Sequence, residues 1–323
     1  MRPALALALV AALAGCSVSE PPASPPPMQT SPQPELMKWP ALLERERPEP
    51  DATLAYGADQ MQKADLWLPA GRGPHPTVLM VHGGCWQTEI ADRRIMNWIA
   101  DDLRKRGIAV WNIDYRGVDR TGGGYPGTFL DAAAAADALR GHAPRYRLDT
   151  KRLVAVGHSA GGHLALWLAA RKAVNARPAS PLIPRGSPLI GADPLPIDTV
   201  VSLGGLPDLE LAATPPGSGC GTEVIEKLVG PPTLSSRNVY ADTSVPRLAP
   251  LGVRQVLING LQDRIIPTSY AEDYAAKMRA AGDKVQVRMI DRTGHVELIA
   301  PETAAWAAAV GEIEAALGRK GGR

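Results

Sequence analysis

Gly157-His158-Ser159-Ala160-Gly161, inside the run RLVAVGHSAGGHLALWLAA from Arg152 to Ala170, decides how the rest of the chain is read. It has the form G-x-S-x-G. A short β-rich run, Leu153 to Val156, precedes it, and an alanine- and leucine-rich segment with helical composition follows. A strand that turns sharply into a helix lifts the serine hydroxyl out of the sheet, and small neighbours permit the strained turn. The helix begins just behind the serine, so its free N–H groups and positive dipole end face any negative charge that develops there. A glycine-rich turn with an incidental serine would carry the same five letters, so the reading depends on partners elsewhere.

A serine hydroxyl is a poor nucleophile at neutral pH and needs a base to take its proton and an acid to orient that base. Downstream, RQVLINGLQDRIIP reads as a buried strand, Gln255 to Ile258, ending in a turn that carries Asp263. VQVRMIDRTGHVELI reads as another strand followed by a loop carrying His295. Upstream, TVLMVHGGCW places His82-Gly83-Gly84-Cys85-Trp86 directly after an apolar strand. The order Ser159, Asp263, His295, with acid and base each on a loop after a strand, is that of α/β-hydrolases.

Six histidines compete for the base. His295 in T-G-H follows the last expected strand and fits the triad template. His158 and His163 flank the serine as structural or pocket-lining residues, and His75 and His142 read as surface positions. Asp208 and Asp291 compete with Asp263 for the acid. Asp263 is favoured because Gly260-Leu261-Gln262-Asp263, with Pro267 just beyond, resembles the G-x-x-D turn of α/β-hydrolases.

HGGCW, GHSAGGHLA, GLQDRIIP and TGH together resemble the α/β-hydrolase esterase and lipase group, closest to its kynurenine formamidase-like and feruloyl-esterase-like bacterial branch. The similarity runs from about Thr53 to about Leu317. Relatives often carry HGGGF or HGGYW where this chain has HGGCW. The resemblance implies acyl transfer by Ser159, Asp263 and His295. The oxyanion would be met by backbone N–H groups of Gly84, Cys85 and Ala160, with His82 and Gly83 supporting the loop. Neither a metal nor an organic cofactor is called for. Trp86, Tyr115 and Tyr125 are nominated as pocket walls.

With 323 residues and 45% hydrophobic side chains, the chain is long enough for one large domain plus an N-terminal extension. A formal charge of +2, without basic blocks interleaved with aromatics, argues against a nucleic-acid partner. Three cysteines form no C-x-x-C and no Cys/His cluster, which leaves a structural zinc site unsupported.

Residues 1–16, MRPALALALVAALAGC, have a basic start at Arg2, an apolar run from Ala4 to Leu13 and small residues before Cys16. This is the pattern of a secretory signal, too short for a convincing spanning helix. Leu13-Ala14-Gly15-Cys16 resembles the lipobox of bacterial lipoproteins, and Ser17 after it resembles the outer-membrane sorting pattern. An exported enzyme, lipid-anchored at Cys16 and facing the periplasm or cell exterior, is the expectation. Residues 17–50, with Pro25-Pro26-Pro27, read as a proline-rich tether. Within them the Leu36 to Leu43 patch around Trp39 either packs on the domain or stays solvated.

Residues 51–323 read as the catalytic domain. The pattern predicts strands at Lys63–Leu68, Thr77–Val81, Ile108–Ile113, Leu153–Val156, Thr199–Leu203, Gln255–Ile258 and Val285–Ile290. It predicts helices at Asp92–Arg106, Thr128–Ala143, Gly161–Lys172, Thr268–Ala281 and Pro301–Leu317. That alternation defines an α/β chain with the α/β-hydrolase fold, a mostly parallel sheet with helices on both faces. Pro207 to Pro250, with a short helix at Glu223–Val229, reads as a small lid-like insertion or a solvated excursion. Cys85 and Cys220 either form a disulfide or remain two separate thiols.

Three functions follow. The first is a carboxylesterase acting on small or exogenous esters. The second is an arylformamidase, which the resemblance favours although its usual substrate arises in the cytoplasm. The third is a catalytically silent binding protein on a hydrolase fold, against which the intact residue set argues. Oligomeric state is not legible.

Overall fold

Val78, Leu79, Met80 and Val81 have no exposed surface, and a strand buried at consecutive positions must be covered on both faces. The computed structural model, which describes residues 35–176, 189–233 and 237–319, places this strand near the middle of an eight-stranded sheet. The strands are β1 (Ala52–Ala55), β2 (Lys63–Trp67), β3 (His75–Val81), β4 (Ala109–Ile113), β5 (Leu148–His158), β6 (Thr199–Leu203), β7 (Arg254–Gly260) and β8 (Lys284–Ile290). Their order is β1-β2-β4-β3-β5-β6-β7-β8. β1 with β2, and β2 with β4, pair antiparallel; every other neighbour is parallel.

The helices are α1 (Trp39–Leu43), α2 (Asn97–Lys105), α3 (Gly127–Tyr146), α4 (Ala160–Ala176), α5 (Leu209–Ala212), α6 (Thr222–Val229), α7 (Ser269–Ala280) and α8 (Ala304–Ala316). Buried residues of α3, α4 and α7, such as Leu139, Leu166 and Tyr274, form the core on one sheet face. Leu103 of α2 and Trp306 of α8 belong to the core on the other. This two-faced layering presents the carboxyl ends of the parallel strands, and the loops that follow them, at one edge.

β1 was not expected from the sequence. It is a four-residue antiparallel edge strand with no fully buried position, too short for an alternating pattern to show. The helix expected from Asp92 begins as a 3-10 turn, Arg93–Met96, capped by Asp92 Oδ1 on the Arg94 N–H at 2.9 Å. The segment after β6 is a packed wall and not a solvated excursion: Leu209, Val224, Ile225, Leu228 and Leu248 are buried in the core.

Cys16, the proline run through Pro34, and residues 177–188 of the Arg177–Asp198 crossing lie outside the described residues. The compact unit begins at Leu36. Residues 36–50, assigned from sequence to the tether, are therefore part of the domain, and specific bonds hold them there. Trp98 Nε1 donates to the Glu46 carbonyl at 3.0 Å and Asn97 Nδ2 to the Pro48 carbonyl at 2.9 Å, while Leu42 is wholly buried. Proline content made this stretch look unable to fold, but its backbone oxygens need no proline N–H to be bound.

Candidate active site

β5 ends at His158 and α4 begins at Ala160, so Ser159 alone makes the turn from strand to helix. Its φ of 53° lies in the left-handed region that a side chain disfavours. Two bonds hold it: Ser159 N–H donates to the Leu203 carbonyl, and Gly162 N–H donates to the Ser159 carbonyl, both at 2.8 Å. The flanking glycines are required by close approach. A Cβ at Gly161 would lie 2.2 Å from the Val81 carbonyl oxygen, and one at Gly157 would lie 2.0 Å from that of Gly161. Ala160 opens the first turn of α4, where N–H groups have no partner within the helix.

The loop after β3 carries His82-Gly83-Gly84-Cys85-Trp86, with positive φ at Gly84, Cys85 and Trp86. Left-handed backbone at two non-glycine residues in a row persists only where the surroundings over-determine it. They do so here. His82 Nε2 donates to Asp114 Oδ1 at 2.9 Å, and the Tyr115 ring stacks on the imidazole at 4.3 Å. The Tyr115 hydroxyl donates to the His82 carbonyl at 3.0 Å, and Cys85 is joined by a disulfide to Cys220, with Cα atoms 5.4 Å apart. The N–H groups of Gly84 and Cys85 thus sit on a rigid loop that passes beside the head of α4.

Asp263 and His295 meet across two loops. His295 Nδ1 donates to Asp263 Oδ2 at 2.6 Å, which leaves Nε2 as the acceptor nitrogen. The other oxygen of Asp263 accepts the N–H groups of Ile265 and Ile266 at 2.8 and 2.9 Å. Gln262 and Thr293 tie the two loops together, the Gln262 N–H to the Thr293 carbonyl and the Thr293 N–H to Gln262 Oε1, both at 3.0 Å. Neither competing acid touches the imidazole. Asp208 caps α5 and pairs with Lys277, and Asp291 is exposed and accepts from Gln262 Nε2.

Ser159 and His295 line one cavity of about 290 Å³, together with His158, Gly84 and Cys85. The His158 ring lies 4.5 Å from that of His295, and its Nε2 donates to the His295 carbonyl at 3.2 Å. Burial holds its pKa well below the usual histidine value, which disfavours its taking up a proton. His163 lies on α4 with Nε2 donating to the Thr243 carbonyl at 2.8 Å, and burial pushes its pKa down to about 4.

The three pocket walls nominated from sequence are elsewhere. Trp86 and Tyr115 are 0% and 1% exposed, the first turned inward against the His163 ring and the second beneath His82. Tyr125 points away, donating its hydroxyl to Asp242 Oδ2 at 3.0 Å. The apolar walls are instead Trp39, Leu43, Ile90, Ile95 and Ile265, with Gly219 beside the disulfide. None of the five was nominated. The only signal was that Trp39 is the lone aromatic within residues 17–50.

A hydroxyl on a strained turn and an imidazole oriented by a buried carboxylate, on one cavity with the backbone of Gly84 and Cys85, are the parts that acyl transfer requires. Among the described residues no group of three His, Cys, Asp or Glu could hold a metal ion. No helix among them is long and apolar enough to cross a membrane.

The fold and the residues at its carboxyl edge define an α/β-hydrolase of the esterase kind. The chain belongs to the BD-FAE family, whose model matches residues 64–278. It is similar to a probable isoprenylcysteine alpha-carbonyl methylesterase of Arabidopsis thaliana, with 24% identity over 255 residues, 76% of this chain and 51% of that protein. A protein of the same description from Oryza sativa subsp. japonica is 32% identical over 115 residues, 35% of this chain and 26% of that protein. The chain spans about half the length or less of these curated relatives. Among solved structures, esterase B of Lactobacillus Rhamnosis has a TM-score of 0.67 at 18% identity, covering 84% of this chain and 89% of that one. Esterase 2 of Thermogutta terrifontis, phosphonylated by sarin, has a TM-score of 0.64 at 18% identity, covering 89% and 100%. At these identities the solved structures establish a shared fold.

Proposed function

We propose that the protein is a serine carboxylesterase acting through an acyl-enzyme. The observation that carries the reading is the 2.6 Å bond from His295 Nδ1 to Asp263, with Ser159 and His295 on one cavity. Ser159 Oγ attacks the ester carbonyl while His295 Nε2 takes its proton, and the same proton passes to the departing alkoxide as the tetrahedral species collapses. The oxyanion accepts from the N–H groups of Ala160 and the Gly84–Cys85 loop, each donor worth on the order of a hundredfold or more in turnover. Water, deprotonated by His295, then releases the acyl group as the acid.

The cavity walls carry no charged side chain, and about 290 Å³ is at the small end of ligand pockets. Both features support a neutral ester with a compact apolar group. An arylformamidase would have to place the charged amino-acid end of N-formylkynurenine against these walls, so the ester reading is preferred.

Ser159→Ala is expected to abolish hydrolysis of p-nitrophenyl esters, and a serine-directed phosphonate to label Ser159. Activity within a few fold of wild type, or a label on another serine, would overturn the assignment. N-formylkynurenine assayed beside the esters separates the two substrate classes.

The lipobox motif supports a further part of this reading: that Cys16 is lipidated and the enzyme anchored to the outer membrane. Membrane partition should be lost on Cys16→Ser. A wild-type chain recovered wholly soluble, beginning downstream of Cys16, rejects it.

A further inference from the structure

The wall of the cavity facing the two imidazoles comes from α1, ahead of the first strand of the sheet. The Trp39 ring stands edge-on to His295 and to His158, with centroids 6.3 and 6.4 Å away. Leu43, one helical turn further along α1, sits at the mouth of the same cavity and is 42% exposed. Between them Leu42 is wholly buried in the core beneath. α1 therefore turns one side into the domain and presents Trp39 and Leu43 to the space over Ser159.

This segment is fastened to the loop that carries the imidazole. The buried carboxylate of Glu297 accepts the Met37 N–H on one oxygen and the Gly294 N–H, adjacent to His295, on the other at 3.0 Å. Arg45 pairs with Glu302, and its Nε donates to the Ala41 carbonyl at 2.8 Å, closing the far end of the helix. The backbone that carries Trp39 is thus fastened on both sides of the ring, by the Met37 N–H on Glu297 before it and by the Arg45–Glu302 pair after it.

We propose that Trp39, with Leu43 at the rim, is the specificity-determining element of the site: it limits the size of the apolar group that an ester substrate can seat beside Ser159. Among the described residues, the insertion after β6 contributes only Gly219 to the cavity, and it is tied down through Cys220. Trp39 is the bulkiest side chain on the cavity and is only partly buried, so it has a free face to offer a ligand. The inference rests on the esterase reading, since the substrate group it bounds is an ester's.

The test compares kcat/KM ratios, which cancel general damage to the enzyme. Wild type, Trp39→Ala and Leu43→Trp are assayed on p-nitrophenyl esters from acetate to dodecanoate, and on acetates of alcohols of increasing bulk. In Trp39→Ala the ratio of the largest to the smallest substrate is expected to rise about tenfold or more in one series, the scale of a methylene-sized mismatch in an apolar pocket. In Leu43→Trp the same ratio should fall. A smaller rise in both series overturns the proposal. Should Trp39→Ala fail to fold, a ratio that does not fall in Leu43→Trp overturns it alone. Ser159→Ala run alongside keeps the two readings apart: if it retains activity the esterase mechanism fails, and if it is inactive while the ratios stay put only the role of Trp39 fails.

Discussion

Asp263 gives each of its carboxylate oxygens a different partner: Oδ2 accepts the Nδ1–H of His295 at 2.6 Å, and Oδ1 accepts the N–H groups of Ile265 and Ile266. The backbone bonds fix the carboxylate plane, and the carboxylate in turn fixes the imidazole. Asp263→Asn should leave the turn in place but lose the tautomer, lowering kcat by roughly four orders of magnitude. Asp208→Asn should act on stability through its α5 cap and its pairing with Lys277, with a far smaller effect on kcat. Steady-state kinetics of the two variants decide this, and the reverse ranking would assign the acid to Asp208.

The Cys85–Cys220 disulfide closes a loop of 135 residues and joins the strained loop after β3 to the wall before α6. In the chain-entropy description such a loop contributes up to about 5 kcal/mol. Cys220→Ser is expected to lower the unfolding free energy by about 2 to 5 kcal/mol and to reduce kcat, because the Gly84 and Cys85 donors lose their restraint. Urea titration and kinetics measure both effects. Finding Cys85 and Cys220 as titratable thiols in the denatured, unreduced protein would remove the premise.

Stability should fall as the pH is lowered from about 6.5 to about 4. His163 is buried and neutral when folded, with its pKa pushed down to about 4, whereas the unfolded chain takes up the proton near the ordinary value of 6.5. Across that window the unfolded state binds more protons, so stability is complete above it and lost on descending through it, on the order of 3 kcal/mol for this group. His158 shifts in the same direction, and Asp242, whose carboxyl burial raises, opposes them. His163→Gln keeps a donor for the Thr243 carbonyl but does not titrate. Its urea midpoint should drop less than that of wild type between pH 7 and pH 5, and equal drops would count against the assignment.

Local chemistry made much of this legible from the letters alone. The turn at Ser159 is specified within five consecutive residues, because small neighbours are the only ones that fit beside the Val81 and Gly161 carbonyl oxygens. Seven of the eight strands were legible, β2 to β7 from runs that the sheet buries and the edge strand β8 from Val285, Val287 and Met289, and the order Ser159, Asp263, His295 follows from loops at strand ends. β1 escaped because four residues, Ala52 to Ala55, are too few for a strand period to stand out.

What only the tertiary structure decided are relationships between distant segments. Composition marked residues 36–50 as tether because prolines and charges predominate there, yet one buried leucine, Leu42, and a few backbone groups dock the stretch once α2 and Glu297 supply partners. Trp86 and Tyr115 follow the expected loops, but positive φ at Trp86 and stacking on His82 turn both rings inward, which no pattern of residue types specifies. The pocket belongs to Trp39, Ile90, Ile95 and Ile265, residues from separate stretches of the chain. Backbone propensity and hydrophobic period act over a few residues, so they determine elements and turns; which side chains meet across a cavity is set by how those elements pack.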